Sequence, residues 1–334
     1  MTDNLYIPMG TGDSGARPWP PANEPKFYNN NGLWLRAFPD PNNHNNHQDG
    51  NTTQVGWETL VMVRVTNKSQ DVMKNVKVQA CLFAPGFGAM TPSAKQTAFD
   101  LTPAIDILGQ ATVEIEVPPI WKPLDEDFKR TVPGGHFCIA ANVYTTGVGG
   151  APGEGKLLGA DELFQPVDNG HHAQRNLILN DAPHTGGGGG TSSKVPTTQY
   201  PPPTSAMLYR VSTEHVTTKP SPGQLDVLAH HPRVLSTPDG LARGEVSLST
   251  SRGPVPITVS TEPPAITLSS DATPGLDTLF SYAPDRPDRI DTDLVVDLPP
   301  DAPIGSLHTF DVALWTERGD LVGCPLRVML LVTE

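Results

Sequence analysis

Alternation of apolar and polar residues with a period of two is the feature that most constrains the fold of this chain. In the segment ETLVMVRVTNKS, the side chains of Val61, Val63 and Val65 fall on one side of an extended chain. Arg64 and Thr66 fall on the other side. The pattern recurs in NVKVQACLFAP, ATVEIEVPP, GHFCIAANVYTTG and HHAQRNLIL. Such segments predict antiparallel strands with one buried and one solvated face.

Glycine and proline favour the same class of fold. The chain has 31 glycines and 36 prolines among 334 residues, about a fifth of the total, which disfavours long helices and favours short strands joined by turns. Hydrophobic residues make up 37% of the chain, enough to form a core. The only helix candidate is the short segment GKLLGADELF. We therefore predict an all-β protein with two antiparallel immunoglobulin-like β-sandwich domains.

Composition along the chain predicts four regions. Residues 1–32 are rich in Pro, Gly and Asn and aperiodic, which predicts an extended N-terminal arm. Residues 33–180 are expected to form the first immunoglobulin-like β-sandwich. Residues 181–205 contain a run of five glycines and then three prolines, as expected of a Gly/Pro-rich linker. Residues 206–334 repeat the strand pattern and are expected to form the second β-sandwich domain.

The first sandwich region also carries a family resemblance. The segments GLWLRAF, VMVRVTNKSQDVMKNVKVQACLFAP, GGHFCIAANVYT and HHAQRNLIL resemble the bacterial immunoglobulin-like modules of the CARDB (cell-adhesion-related) group. A V-x-V-x-N-x-S motif followed by a V-x-V strand is the shared element. The resemblance implies an antiparallel seven-stranded sandwich and a role in adhesion, spacing or assembly, in an extracellular or assembly-associated setting. It implies no catalytic residues.

Charge and hydropathy limit the partners. The net charge is −13 and Lys and Arg are not clustered, so no nucleic acid partner is expected. No window reaches the roughly 18 apolar residues of a membrane span, and none is predicted. The first residues lack the basic start and apolar core of a signal peptide, which leaves localisation open.

The stretch PNNHNNHQDGN at residues 41–51 predicts a surface loop with binding capacity. His44 and His47, with Asp49, are able to reach one ligand from such a loop. Zinc requires three or four converging ligands, so neither a metal site nor a cofactor is predicted. Trp34 and Trp57 lie on either side of the loop, and a sandwich can bind sugar by stacking it on tryptophan. These five residues are the candidate binding residues.

Three other motifs are incomplete. GDSG around Ser14 resembles a protease nucleophile segment but has too little chain before it for the His and Asp. GAPGEGKL has the spacing of a phosphate loop, but no Ser or Thr follows Lys156. Arg318, Gly319 and Asp320 form an RGD triplet at a predicted hairpin tip, where such residues are common in turns.

Two further features concern covalent chemistry. Asn67 in NKS fits the N-glycosylation pattern. Three cysteines do not make a disulfide framework, and buried thiols are expected, with a bridge between Cys81 and Cys138 as the alternative.

No set of nucleophile, base and oxyanion donors can be assembled from these motifs. We therefore predict a non-enzymatic structural or adhesive protein, a subunit of a larger assembly that uses its arm and edge strands for self-association or for binding a protein partner. The alternative is a glycan-binding module that uses loop Trp and Asn or Asp residues. A hydrolase that uses loop histidines and aspartates is the third hypothesis.

Overall fold

The structure is a computed structural model that describes most of the first 202 residues and separate strands beyond them. The described residues are 3–19, 30–50, 52–84, 86–124, 136–146, 153–180, 193–202, 209–218, 235–236, 245–250, 257–259, 268–269, 280–282, 290–296, 307–316, 318, 320–324 and 326–333.

The described secondary structure is almost entirely strand, which confirms the all-β prediction. A single short 3-10 helix spans Pro92–Ala94 among the described residues. In chain order the strands are β1 (Leu5–Tyr6), β2 (Leu33–Phe38), β3 (Gln48–Gly50), β4 (Thr52–Gln54), β5 (Glu58–Asn67), β6 (Met73–Phe83), β7 (Gly86–Gly88), β8 (Thr97–Ala98), β9 (Ile105–Ile107), β10 (Ala111–Trp121), β11 (His136–Thr145), β12 (His172–Asn180), β13 (Ser193–Tyr200), β14 (Tyr209–Thr218), β15 (Leu235–Ser236), β16 (Glu245–Thr250), β17 (Ile257–Val259), β18 (Leu268–Ser269), β19 (Phe280–Tyr282), β20 (Ile290–Val296), β21 (Leu307–Thr316) and β22 (Leu326–Thr333).

The described residues form two compact units. The first contains the described residues up to Ala84 and those from Met90 to Leu179. The second contains residues 86–89 and the described residues from Asn180 onward. Its sheets have the strand orders β18-β16-β20-β13-β7 and β15-β22-β21-β14-β19-β17. Two strand pairs in this unit are parallel, β7 with β13 and β15 with β22.

The first unit is a β-sandwich of two sheets. One sheet has the order β1-β5-β2-β3, with β10 on the other edge of β5, and the second has the order β4-β12-β11-β6-β8, with β9 paired to β6. The core draws on both sheets, with Val63 and Ile115 from the first and Val78 and Ile139 from the second. The alternation of apolar residues predicted this burial.

The predicted arm is, over its described residues, part of the first sandwich. Leu5 and Ile7 lie in the core, and β1 pairs with β5. The carboxylate of Glu154 accepts hydrogen bonds from the backbone N–H groups of Asn4 (3.0 Å) and Leu5 (2.7 Å). Main-chain bonds also hold the segment, from the N–H of Ile7 to the carbonyl of Gly170 (2.9 Å) and from the N–H of Trp19 to the carbonyl of Val167 (2.7 Å). Such contacts do not require period-two alternation.

The described structure differs locally from the sequence-based expectation in two places. The predicted linker at 181–205 contains β13, which pairs with β20 over seven residue pairs although it includes Pro196. The remaining linker residues 181–192 and 203–205 lie outside the described residues. The helix candidate at 155–164 contains no helix, because its backbone groups bond to side chains of the second sheet.

Within the part of the chain that the structure describes, no helix has the length and apolar character needed to cross a membrane.

Candidate functional site

The Asn/His loop, residues 39–47, joins β2 to β3 and is built from consecutive turns. The backbone N–H of Asn43 donates to the carbonyl of Asp40 (3.0 Å), and that of Asn46 donates to the carbonyl of Asn43 (3.1 Å). The side chain of Asp40 accepts a further bond from the N–H of Asn42 (2.9 Å). Asn and Asp stabilise turns in this way, so the loop is an ordered, exposed hairpin connection.

Both loop histidines contact Phe38 at the end of β2. The imidazole of His44 stacks on the Phe38 ring with centroids 4.4 Å apart, and its Nε2 lies 3.1 Å from a carboxylate oxygen of Glu58. His47 meets the same phenyl ring edge-on at 6.1 Å. The two histidines therefore share an aromatic support, and His44 also has an acidic partner.

Asp49 on β3 connects the loop to the sheet. The Arg36 guanidinium donates to both of its carboxylate oxygens, at 2.9 and 3.1 Å. The hydrogen bond from Arg36 is the largest cause of a lowered Asp49 pKa, and His47 and Trp34 lower this pKa further. The same hydrogen bond raises the pKa of Arg36. At neutral pH the centre of the site is thus a charged, bidentate pair.

The indole of Trp34 is buried and lies against a guanidinium group. Its side chain is 7% exposed, and the Arg64 guanidinium carbon lies 5.1 Å from the centre of its ring. Sugar stacking on this ring, which is largely covered, stays a prediction. Trp57 is half-buried in the turn before β5. Asp49 is thus the link between Arg36, Trp34 and His47, whose Nε2 lies 3.9 Å from its carboxylate. His44 joins this group through His47, whose Nδ1 lies 3.4 Å from the His44 carbonyl. Trp57 has no described contact with this group.

Among the described residues, no group of three or more His, Cys, Asp or Glu side chains is arranged to hold a metal ion.

The first sheet also carries acidic residues on β10. Glu114 lies 2.9 Å from Arg64, and Glu116 lies 3.8 Å from Arg36. Their side chains remain 45% and 60% exposed. The alternation in ATVEIEVPP predicted that both glutamates share a face. The alternation could not predict that β10 lies at a sheet edge, because it contains no information on the order of the strands.

His171 directly precedes β12 and is the first of two adjacent histidines. His171 is buried, and its Nδ1 bonds to the side-chain oxygen of Asn169 (2.9 Å). Its two ring nitrogens lie 3.8 Å from Asp3 and 3.9 Å from Glu154. Burial lowers the pKa of His171. The sequence pattern did not identify this group, because its members are far apart in the chain.

The GDSG motif is a structural turn. The Asp13 carboxylate accepts hydrogen bonds from the backbone N–H groups of Met9 (2.7 Å) and Gly15 (2.8 Å) and forms a buried ion pair with Arg17. Ser14 is exposed. Asp13 therefore holds the fold of this segment together.

Lys156 of the phosphate-loop motif forms an exposed ion pair with Glu162. Arg318 and Asp320 of the RGD triplet are exposed, and the carbonyl of Asp320 accepts a bond from the N–H of Thr316 (2.9 Å). Gly319 lies outside the described residues.

Cys81 and Cys138 are buried and no disulfide joins them. The strand register places Cys138 opposite Phe83 and Cys81 opposite Ala140, so the two cysteines are diagonal neighbours. Diagonal pairs are about 7–8 Å apart, whereas a disulfide needs Cβ atoms about 4 Å apart. Burial raises the pKa of Cys81 to about 11.

No protein-family model matches this chain, and none of the curated proteins matches it. Among solved structures, collagen adhesin from S. aureus is 7% identical over 90% of this chain and 92% of its own, with a TM-score of 0.21. The collagen-binding domain of surface protein RspB from Erysipelothrix rhusiopathiae is 8% identical over 84% and 89%, with a TM-score of 0.18. Red sea bream transglutaminase is 11% identical over 83% of this chain, with a TM-score of 0.20, and the chain spans only 29% of its length. Likenesses at these TM-scores do not assign a family or a function.

Proposed function

We propose that this protein is a non-enzymatic structural or adhesive subunit that associates with other chains through its edge strands. The observation that carries this proposal is the open edge of β10. This strand pairs with β5 from Ala111 to Val117, and no other described strand pairs with it. An edge strand presents unpaired N–H and C=O groups, to which an extended segment of another chain can add.

The charges on β10 favour a partner other than a second β10. In an antiparallel pair of two β10 strands centred on this edge, Glu114 and Glu116 would face glutamates of the partner. Like charges directly opposite each other destabilise a strand pair. A different segment, with Lys or Arg at alternate positions, would extend the ion pairs that Arg64 and Arg36 already form. The net charge of −13 also attracts basic partners.

When a segment other than β10 adds to β10, two different surfaces meet, so the interface is heterologous. Heterologous contacts between copies of one chain generate rings or open filaments. We assign association to β10 rather than to the predicted arm, because Leu5 and Ile7 of that segment occupy the core of their own sandwich. An adhesive or assembly role would place the protein outside the cell or within a larger particle.

The test is the molar mass in solution, measured by light scattering after size exclusion over a concentration series, with negative-stain electron microscopy on the same fractions. The unaltered chain is expected to exceed its 35.7 kDa mass. Val113→Lys puts a charge on the core side of the edge strand, a feature that blocks strand addition, and is expected to give the chain mass. Gln70→Lys adds the same charge on an exposed turn and is expected to leave association unchanged.

A thermal unfolding curve for Val113→Lys verifies that the variant is folded. If the unaltered protein keeps the mass of one chain at every concentration, self-association through β10 is refuted.

A further inference from the structure

The outer face of the second sheet, formed here by β6, β11 and β12, is covered by residues 156–165, which we call the covering segment. Polar side chains of the sheet bond to its main chain. The Gln79 amide accepts from the N–H of Leu158 (3.1 Å) and donates to the carbonyl of the same residue (3.1 Å). The Asn142 amide donates to the carbonyl of Lys156 (2.8 Å). Side-chain amides thus take the place of a strand partner for the covering segment.

One amide on this face has no such partner. The Gln174 side chain is 0% exposed, and among the described residues neither its Nε2 nor its Oε1 has a hydrogen-bond partner. The side-chain oxygen of Asn142 is also buried without a partner in the part of the chain that the structure describes. Gln174 lies opposite Ala140 and Asn142 lies opposite His172 in the ladder of β11 and β12. Gln174 and Asn142 are therefore diagonal neighbours on one face of the sheet.

Three polar atoms without partners in one small buried region are a serious cost to folding. A buried donor or acceptor that loses its bond to water forfeits the full solvation of that group. Folded proteins pair the large majority of buried side-chain polar atoms, either with protein groups or with ordered water. A molecule that forms hydrogen bonds with these three atoms would therefore offset a large part of the free-energy cost of burying them.

We propose that Gln174 and Asn142 enclose a hydration site that holds about one or two ordered water molecules beneath the covering segment. The two carbonyl oxygens need donors and the amide nitrogen needs an acceptor. A water molecule donates two hydrogen bonds and accepts two, and a buried water typically makes about three. The unpaired atoms carry no formal charge, so they do not favour an ion. Ala140, opposite Gln174, has a small side chain that leaves room.

The first test is a high-resolution crystal structure of the unaltered protein. Density for water is expected within hydrogen-bond distance of the Gln174 amide and the Asn142 oxygen. Absence of density at this place would overturn the proposal. Density for a larger or charged molecule would overturn the assignment to water. Because this test needs no substitution, it holds even if a variant fails to fold.

The second test is oxygen-17 relaxation dispersion, which counts long-lived internal water molecules in solution. Gln174→Leu is expected to remove the long-lived water of this site, because two of the three binding atoms are lost. Gln70→Leu, the same substitution on an exposed turn, is expected to leave the count unchanged. An equal count in Gln174→Leu and the unaltered protein would contradict the proposal.

Discussion

The Nδ1 atom of His172 accepts a hydrogen bond from the backbone N–H of Gln165 at 2.9 Å. Because Nδ1 is an acceptor, it carries no proton and the neutral imidazole is the form that fits this structure. Burial is the main reason why the pKa of His172 falls to about 3, and His171 lowers it further. Protonation of Nδ1 would remove the acceptor of this hydrogen bond, which holds the main chain of Gln165 to the sheet.

Stability is expected to fall as the solution is acidified. The pKa of His172 is about 3 in the folded chain and about 6.5 when unfolded. Between these values the unfolded state binds more protons, so the free energy of unfolding decreases as the pH falls through this window. The loss from His172 between pH 7.5 and pH 5 is about 2 kcal/mol, and His171 acts in the same direction. Urea titrations at several pH values measure this loss of free energy of unfolding.

His172→Gln is the matched variant, since its amide oxygen can still accept the bond and does not titrate. Its free energy of unfolding should depend less on pH across the same window. Equal slopes in the variant and the unaltered protein would show that His172 does not contribute to acid lability.

Asn67 is expected to be among the least replaceable polar residues of the first unit. Its buried amide donates to the carbonyls of Asp71 (2.8 Å), Ile107 (3.0 Å) and Leu108 (3.1 Å). Asn67→Asp replaces the donor with oxygen and turns a negative charge toward three carbonyls. We expect the free energy of unfolding to fall by about 3 kcal/mol or more, measured by denaturant titration.

Ser69→Ala is the control, because the Ser69 hydroxyl donates to the side-chain oxygen of Asn67 (2.7 Å). This variant loses the hydroxyl that bonds to Asn67 and to the carbonyl of Asp71 (2.9 Å), and it should cost about 1 kcal/mol. If Asn67→Asp costs no more than Ser69→Ala, the three carbonyl contacts contribute little.

The burial of Asn67 also makes the NKS motif a structural element and not an accessible glycosylation site.

The sequence pattern predicts the core-facing side of the strands well because successive side chains of a strand point to opposite faces. Val61, Val63 and Val65 were assigned to one face, and all three lie in the core. The pattern cannot predict contacts that depend on single polar groups far apart in the chain. The bond between Leu5 and Glu154 spans 149 positions. The ion pair between Arg36 and Asp49, which orders the candidate site, depends on strand pairing that periodicity leaves undefined.

Glu154 is expected to control the mobility of the N-terminal strand. Glu154→Ala removes the acceptor of the backbone N–H groups of Asn4 and Leu5. Amide hydrogen exchange at these two positions should accelerate roughly tenfold or more, as expected for loss of a charge-assisted hydrogen bond. Glu162→Ala removes a carboxylate that pairs with Lys156 on the surface. That control should leave exchange at both positions unchanged, and similar acceleration in both variants would contradict the role of Glu154.

Gly323 is expected to tolerate no side chain, for two reasons that a control can separate. Its φ of +66° is a conformation that L-residues avoid, at a cost of about 1–2 kcal/mol. A Cβ at this position would also collide with the carbonyl oxygen of Gly88. That oxygen cannot easily move, because it accepts the N–H of Cys324 at 2.8 Å while the N–H of Gly88 donates to the carbonyl of Cys324 at 2.9 Å.

Gly56 has a φ of +80°, and a Cβ there would meet nothing within 4 Å. Gly56→Ala should therefore lower the free energy of unfolding by the conformational cost alone. Gly323→Ala should add the effect of the collision with Gly88. This collision is expected to open the pairing of β7 in the second unit. Amide hydrogen exchange at Gly88 and Cys324 should accelerate strongly in Gly323→Ala and remain unchanged in Gly56→Ala. If Gly323→Ala leaves exchange at Gly88 slow, the chain can accommodate the methyl group, and the close approach of residues 88 and 323 is not required for the pairing of β7.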